Sequence, residues 1–107
     1  MSSGIVEYEI MCAIAMSIIE AIKASDLRLV SENIIKRDRY HPYTMPFDRD
    51  MHCIVVGGQH RRQVWVYVQS DRVTIEESVR NIQELLIADP DCSPAYVVDL
   101  ISSLLSN

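Results

Sequence analysis

The sequence predicts an α+β fold in which a β-hairpin packs against a layer of helices. Three observations predict it: a long apolar segment with helical periodicity near the N-terminus, two short β-branched segments in the middle, and two helix-start signals in the last third. With a further helical pattern after the first, the predicted order is α-α-β-β-α-α. The chain has 107 residues, the length of one domain, so residues 1–107 are predicted to form a single globular domain.

The first predicted helix covers residues 5–23, the longest apolar periodic stretch of the chain. At about 100° per residue, its apolar side chains fall on one arc of about half the circumference. This arc holds Tyr8, Ile10, Met11, Ile14, Ala15, Ile18, Ile19, Ala21 and Ile22. The opposite side carries few charges, because Ala13, Met16 and Ser17 lie on it. We therefore expect these three residues to contact a second copy of the chain in a twofold homodimer.

Residues 24–37 are predicted to form the second helix. Ser25 can cap its N-terminus, and Leu27, Val30 and Ile34 follow at helical spacing. A strand is the alternative, because apolar and polar residues partly alternate in this segment.

Residues 38–50 are predicted to form a loop, since Pro42 and Pro46 disfavour helix in the residues before them. Three aromatic residues, Tyr43 among them, fall within this loop. Aromatic rings in a loop either pin it to the body of the protein or anchor a binding partner.

Residues 51–56 and 64–69 are predicted to pair as a β-hairpin, because both segments are short and rich in β-branched residues. Side chains alternate along a strand, so the three valines of the second strand share one face and are expected to meet the helices. The other face then holds Trp65 and Tyr67, with His52 of the first strand beside them. Free hairpin edges are a further reason to expect self-association.

Two more helices are predicted after the hairpin. The first begins with a capping box, in which Glu77 can reach back to the backbone of Thr74. Its apolar stripe comprises Ile75, Val79, Ile82, Leu85 and Leu86. Pro90 ends this helix, and Ser93 with Pro94 starts the last one, which is predicted to run to the end of the chain.

Several functional classes are disfavoured by the sequence. The three cysteines are an odd number without a CxxC pair, which argues against a disulfide framework and a zinc ribbon. No glycine-rich phosphate loop and no ligand spacing for a metal are present, so neither a cofactor nor a metal is expected. The N-terminus does not begin with basic residues, which disfavours a signal peptide. The first predicted helix has too few consecutive uncharged residues to span a bilayer. The chain is therefore predicted to be cytoplasmic.

The preferred hypothesis is a non-enzymatic module that binds another protein, such as an adaptor, a chaperone, an immunity protein or an inhibitor. Tryptophan, tyrosine and arginine are enriched at protein–protein hot spots, and they cluster on the hairpin and its flanking loops. The predicted partner-binding residues are Trp65, Tyr67, His52, Arg61, Arg62 and Tyr43. The alternative for Trp65 is that the protein's own loop of residues 38–50 covers it.

Two alternatives remain open. The first is a nucleic-acid-binding regulator that uses the arginines of residues 36–72, although a net charge of −5 opposes a polyanion. The second is a small enzyme in which Cys53 acts with His41 or His60.

Overall fold

The computed structural model describes residues 3–35, 51–58, 62–77, 81–86 and 93–106, apart from the side chains of residues 3–6, 35, 81 and 82. The described chain forms two helices and five strands. These are α1 (Ser3–Lys23), β1 (Arg28–Ile35), β2 (Met51–Gly57), β3 (Gln63–Val68), β4 (Arg72–Glu77), β5 (Asn81–Leu86) and α2 (Pro94–Ser106). The fold is α+β: a helix, a sheet of five strands in chain order, and a second helix.

The sheet is an antiparallel meander, because each strand pairs with the next one along the chain. Both helices lie on one face of it: α1 contacts β1, β2 and β3, while α2 contacts β3 and α1. The core lies between the two layers. It comprises Met11, Ala15, Ile18, Ile19, Ile22, Ile54, Val56, Val64, Val66, Val68, Val73, Ile75, Val97, Ile101 and Leu105.

Several sequence predictions are confirmed. The first helix is α1, and five of the nine side chains of its predicted apolar arc are fully buried. Tyr8 and Ile10, which the prediction also placed on this arc, are exposed at 37% and 42%, so the buried stripe is narrower than predicted. β2 and β3 form the predicted hairpin, and the three valines of β3 are buried on the face that meets the helices. The last helix begins as predicted, because the Ser93 hydroxyl accepts a hydrogen bond from the backbone N–H of Tyr96 at 3.2 Å.

The predicted second helix is wrong, because residues 28–35 are the strand β1. Ser25 does not start a helix. Its hydroxyl donates to the carbonyl of Ile22 at 2.7 Å and accepts from the N–H of Leu27 at 3.1 Å, so it forms the turn that ends α1. β2 is apolar on both faces, and such a strand is favoured inside a sheet with a neighbour on each edge. β1 supplies one of these neighbours.

The predicted helix after Thr74 is also wrong, because this part of the chain forms β4 and β5. Thr74 lies inside β4 opposite Tyr67. Glu77 does not close a capping box. Its carboxylate instead accepts a hydrogen bond from the guanidinium of Arg62. The far edge of β3 needs backbone partners, and pairing with β4 satisfies them. The order α-α-β-β-α-α is therefore replaced by α-β-β-β-β-β-α.

The edges of the sheet also differ from the prediction. The β2–β3 hairpin has no free edge, since β1 and β4 flank it, and the outermost described strands are β1 and β5. Neither described helix is long and apolar enough to cross a lipid bilayer.

Candidate functional site

The candidate site is the outer face of the sheet, which we define as the face turned away from α1 and α2. Side chains alternate along each strand, and directly paired residues share a face, so the pairing register assigns its members. The outer face carries Arg28, Ser31, Asn33, Met51, Cys53, Val55, Gln63, Trp65, Tyr67, Arg72, Thr74, Glu76, Glu84 and Leu86. Aromatic and apolar groups lie at its centre on β2 and β3, while β1, β4 and β5 carry mainly polar groups, with the apolar Leu86 also on β5.

Trp65 and Tyr67 occupy the middle of the outer face. Both are half-buried, and they lie two residues apart on the central strand β3. Trp65 is paired with Val55 on one side and with Glu76 on the other. Each aromatic ring therefore has an apolar or thiol neighbour on β2 and a polar neighbour on β4.

Glu76 is the charged group closest to this aromatic pair in the strand register. It lies directly across from Trp65, and its Oε1 accepts a hydrogen bond from the Tyr67 hydroxyl at 3.2 Å. Burial raises the pKa of Tyr67, and the charge of Glu76 raises it further. The phenol thus stays protonated and remains a donor to Glu76.

Cys53 lies beside Tyr67 on β2 and is 8% exposed. Burial, with a contribution from the charge of Glu76, raises the pKa of its thiol to about 11. A nucleophilic cysteine needs a depressed pKa. His52 points to the opposite face of the same strand, and His41 and His60 lie outside the described residues. The described chain therefore gives no support to a Cys/His enzyme.

His52 is not on the face where the sequence placed it. It pairs with Val68 and lies on the helix-covered face, 6% exposed. Its Nε2 is 3.3 Å from Glu32 Oε1, yet neither ring nitrogen has a hydrogen bond within the described chain. The prediction assumed that Trp65 and His52 share a face, but the register pairs Trp65 with Val55 instead.

Arg62 also lies away from the outer face. It is half-buried, its guanidinium is paired with the buried carboxylate of Glu77, and its carbonyl accepts from the N–H of Gly58 at 2.9 Å. These contacts hold the end of the β2–β3 connection against β4. Arg61 and Tyr43, the other two predicted partner-binding residues, lie outside the described residues.

The predicted dimer residues Ala13, Met16 and Ser17 are exposed on α1, and Met16 is 51% exposed. The Ser17 hydroxyl donates to the carbonyl of Ala13 at 3.1 Å, so its hydrogen-bonding capacity is partly used inside the helix. Their role in self-association stays a prediction.

A shallow cleft of about 170 Å³ opens between the two helices and β4. It is lined by Ile14, Ser17, Ile18, Val73, Ser93, Pro94 and Val97. Its lining has no titratable side chain, so it offers shape and apolar contact but no acid or base.

Metal binding finds no support in the described chain, where no three His, Cys, Asp or Glu residues are grouped closely enough to hold an ion. The sequence prediction missed Glu76, because that residue was assigned to a helix. The alternation of Val73, Ile75 and Glu77 was the signal that could have placed Glu76 on a strand, facing the same side as Trp65.

No protein-family model, no curated protein and no solved structure matches this chain.

Proposed function

We propose that this chain is a non-enzymatic, cytoplasmic module that binds another protein through the outer face of its sheet. The observation that carries the proposal is the position of Trp65 and Tyr67, which lie side by side on the face that neither helix covers. Tryptophan and tyrosine supply large contact area with few rotatable bonds, which is why they dominate protein–protein hot spots.

The surroundings of the two rings support this proposal. Val55 and Cys53 add apolar and weakly polar surface beside them, while Ser31, Asn33 and Thr74 lie around this centre on the neighbouring strands. An apolar centre with a polar rim is the usual arrangement of a protein–protein interface. The adaptor, chaperone, immunity and inhibitor types all remain compatible with such a surface.

Nucleic-acid binding, the alternative, gains nothing from the described arginines of residues 36–72. Arg62 is paired with Glu77, and Arg72 is paired with Glu84 at 2.7 Å. Both positive charges are thus neutralised by neighbours, and the outer face adds the negative charge of Glu76.

The test is affinity purification with the tagged chain and its Trp65→Ala variant. The variant removes the central ring, so we expect the affinity for the partner to fall by about thirtyfold or more, the usual size of a hot-spot effect (about 2 kcal/mol or more). Tyr96→Ala is the matched control, because Tyr96 is an aromatic residue 41% exposed on α2. Both variants must unfold at a temperature close to that of the wild-type chain, which shows that they are folded.

The proposal fails if a specific partner is retained equally by the wild-type chain and by the Trp65→Ala variant. Binding of nucleic acid that weakens steeply with salt, measured by mobility shift, would instead favour the alternative.

A further inference from the structure

Three side chains of the outer face converge on one position. Trp65 and Tyr67 project from the same side of β3, and Glu76 lies across from Trp65 on β4. The hydrogen bond from the Tyr67 hydroxyl to Glu76 Oε1, 3.2 Å long, brings the phenol end of Tyr67 and the carboxylate together. Two aromatic side chains and one carboxylate thus lie next to one another on the outer face.

Within the described residues, the carboxylate of Glu76 differs from the neighbouring carboxylates because no cation is paired with it. Glu77 is paired with Arg62, and Glu84 is paired with Arg72. Glu76 instead accepts a hydrogen bond from the neutral hydroxyl of Tyr67. A hydroxyl provides one donor, so a carboxylate with about four acceptor positions keeps most of its capacity.

The negative charge of Glu76 acts on its surroundings. It contributes to the raised pKa of Tyr67 and to the raised pKa of the Cys53 thiol, which lies two strands away from it. Neither neighbour carries a positive charge, since a phenol and a thiol are neutral when protonated and negative when deprotonated. Within the part of the chain that the structure describes, the centre of the outer face therefore combines an aromatic surface with a carboxylate that has no ion-pair partner.

A positively charged side chain has the chemistry that fits such a position. An arginine guanidinium or a lysine ammonium is attracted to the face of a tryptophan or tyrosine ring, and it pairs with a carboxylate at the same time. Arginine is the better match in shape, since its planar group can stack on a ring and donate two parallel hydrogen bonds. An acidic partner group would be repelled here.

We propose that the protein bound by the outer face places a basic side chain, arginine or lysine, against Trp65 and Tyr67 and pairs it with Glu76. This inference rests on the proposed function and names the chemistry of the partner. It assigns Glu76 the role of a specificity residue: the rings supply contact area, and the carboxylate selects for positive charge.

The decisive variant is Glu76→Gln, which removes the charge but keeps an oxygen that can accept from Tyr67. Glu84→Gln is the matched control, because it removes the same charge from the same face at a position already paired with Arg72. We expect Glu76→Gln to weaken partner binding on the order of tenfold, the usual effect of losing a hydrogen bond to a charged group. Glu84→Gln should leave the affinity within about twofold of wild type, because the basic side chain of the partner is proposed to pair with Glu76 and not with Glu84.

A direct probe uses the amides of Nα-acetylarginine, Nα-acetyllysine and Nα-acetylcitrulline, of which the last is the neutral isostere of arginine. The chain has one tryptophan, so the indole N–H of Trp65 gives a single signal in a nitrogen-15 NMR spectrum. We expect saturable shifts with one or both basic compounds, weakened in the Glu76→Gln variant and unchanged in the Glu84→Gln variant. Their relative affinities identify arginine or lysine as the preferred group.

The inference would be overturned if the citrulline compound shifted the Trp65 signal as much as the basic compounds do. It would also be overturned if Glu76→Gln and Glu84→Gln weakened binding equally. If Trp65→Ala loses the partner while Glu76→Gln retains it in full, the inference fails and the proposed function stands. If the partner survives Trp65→Ala, the proposed function itself has failed.

Discussion

Cys53 shows how the outer face changes the chemistry of a single residue. The thiolate is the reactive form, and the pKa of this thiol is raised from 9.0 to about 11 by burial and by the charge of Glu76. At pH 8, the thiolate fraction falls from about one in ten to about one in a thousand when a pKa rises by two units. The sheet therefore protects a cysteine that lies beside the candidate binding residues.

We predict that Cys53 in the folded chain reacts with iodoacetamide about a hundredfold more slowly at pH 8 than in the urea-unfolded chain, since the thiolate fraction falls by that factor. Because its pKa is raised, its reaction rate should keep rising between pH 8 and pH 10. Glu76→Gln should raise the rate at pH 8, because it removes one cause of the shift. Mass spectrometry of the Cys53 peptide measures each rate, and equal folded and unfolded rates would contradict the prediction.

At the residue scale, alternation along one strand was enough to place Trp65 and Tyr67 together and away from the helices. It was not enough to place His52, because the face of a residue on a neighbouring strand depends on the register between the strands. In the observed register Cys53 is on the outer face beside Tyr67, and a shift of one residue would place His52 there instead.

Among the helices and strands, the local patterns correctly predicted α1, the β2–β3 hairpin and α2. They failed on β1, β4 and β5, where short apolar patterns fit either a helix or a strand. Strand pairing decides between helix and strand here. The edges of β2 and β3 carry backbone N–H and C=O groups, and neighbouring strands supply a regular row of hydrogen-bond partners for them. That requirement is tertiary, so the short alternation in residues 73–77 could suggest a strand but could not decide between a strand and a helix.

Leu86 distinguishes the predicted helix after Thr74 from the observed strands β4 and β5. In the predicted helix Ile75 and Leu86 share one buried stripe, whereas in the sheet Ile75 is fully buried and Leu86 is 57% exposed. We predict that Ile75→Ala lowers the free energy of unfolding by about 2–5 kcal/mol, as expected for a buried isoleucine. Leu86→Ala should lower it by less than about 0.5 kcal/mol, since exposed substitutions have small effects.

Urea unfolding monitored by circular dichroism measures both values. If Leu86→Ala lowered the free energy of unfolding as much as Ile75→Ala does, the result would contradict the β4–β5 hairpin and favour the helix.

At the scale of the whole molecule, the fold is a two-layer arrangement with helices on one face of the sheet. This leaves two surfaces for contact with other molecules: the outer face of the sheet and the exposed side of α1. On α1, Met16 and Ile10 are 51% and 42% exposed, with Ala13 and Ser17 between them. An apolar helix side of this kind is suited to a second copy of the chain.

We predict that the chain is a twofold dimer at micromolar concentration and that Met16→Lys shifts it toward the monomer, because two charged side chains would meet near the twofold axis. Light scattering coupled to size-exclusion chromatography gives the mass. Ser103→Lys adds the same charge to an exposed position on α2 and should leave the dimer intact. A monomeric wild-type chain would contradict the prediction.

The central claim is that the outer face of the sheet is open to a partner protein. Acrylamide quenching of the single tryptophan tests it most directly, since all tryptophan fluorescence comes from Trp65. We expect acrylamide to quench Trp65 fluorescence in the free chain. Adding the purified partner, itself free of tryptophan or with its tryptophans replaced, should protect Trp65 from quenching. A Trp65 already shielded in the free chain, or equally quenched with and without the partner, would contradict the claim.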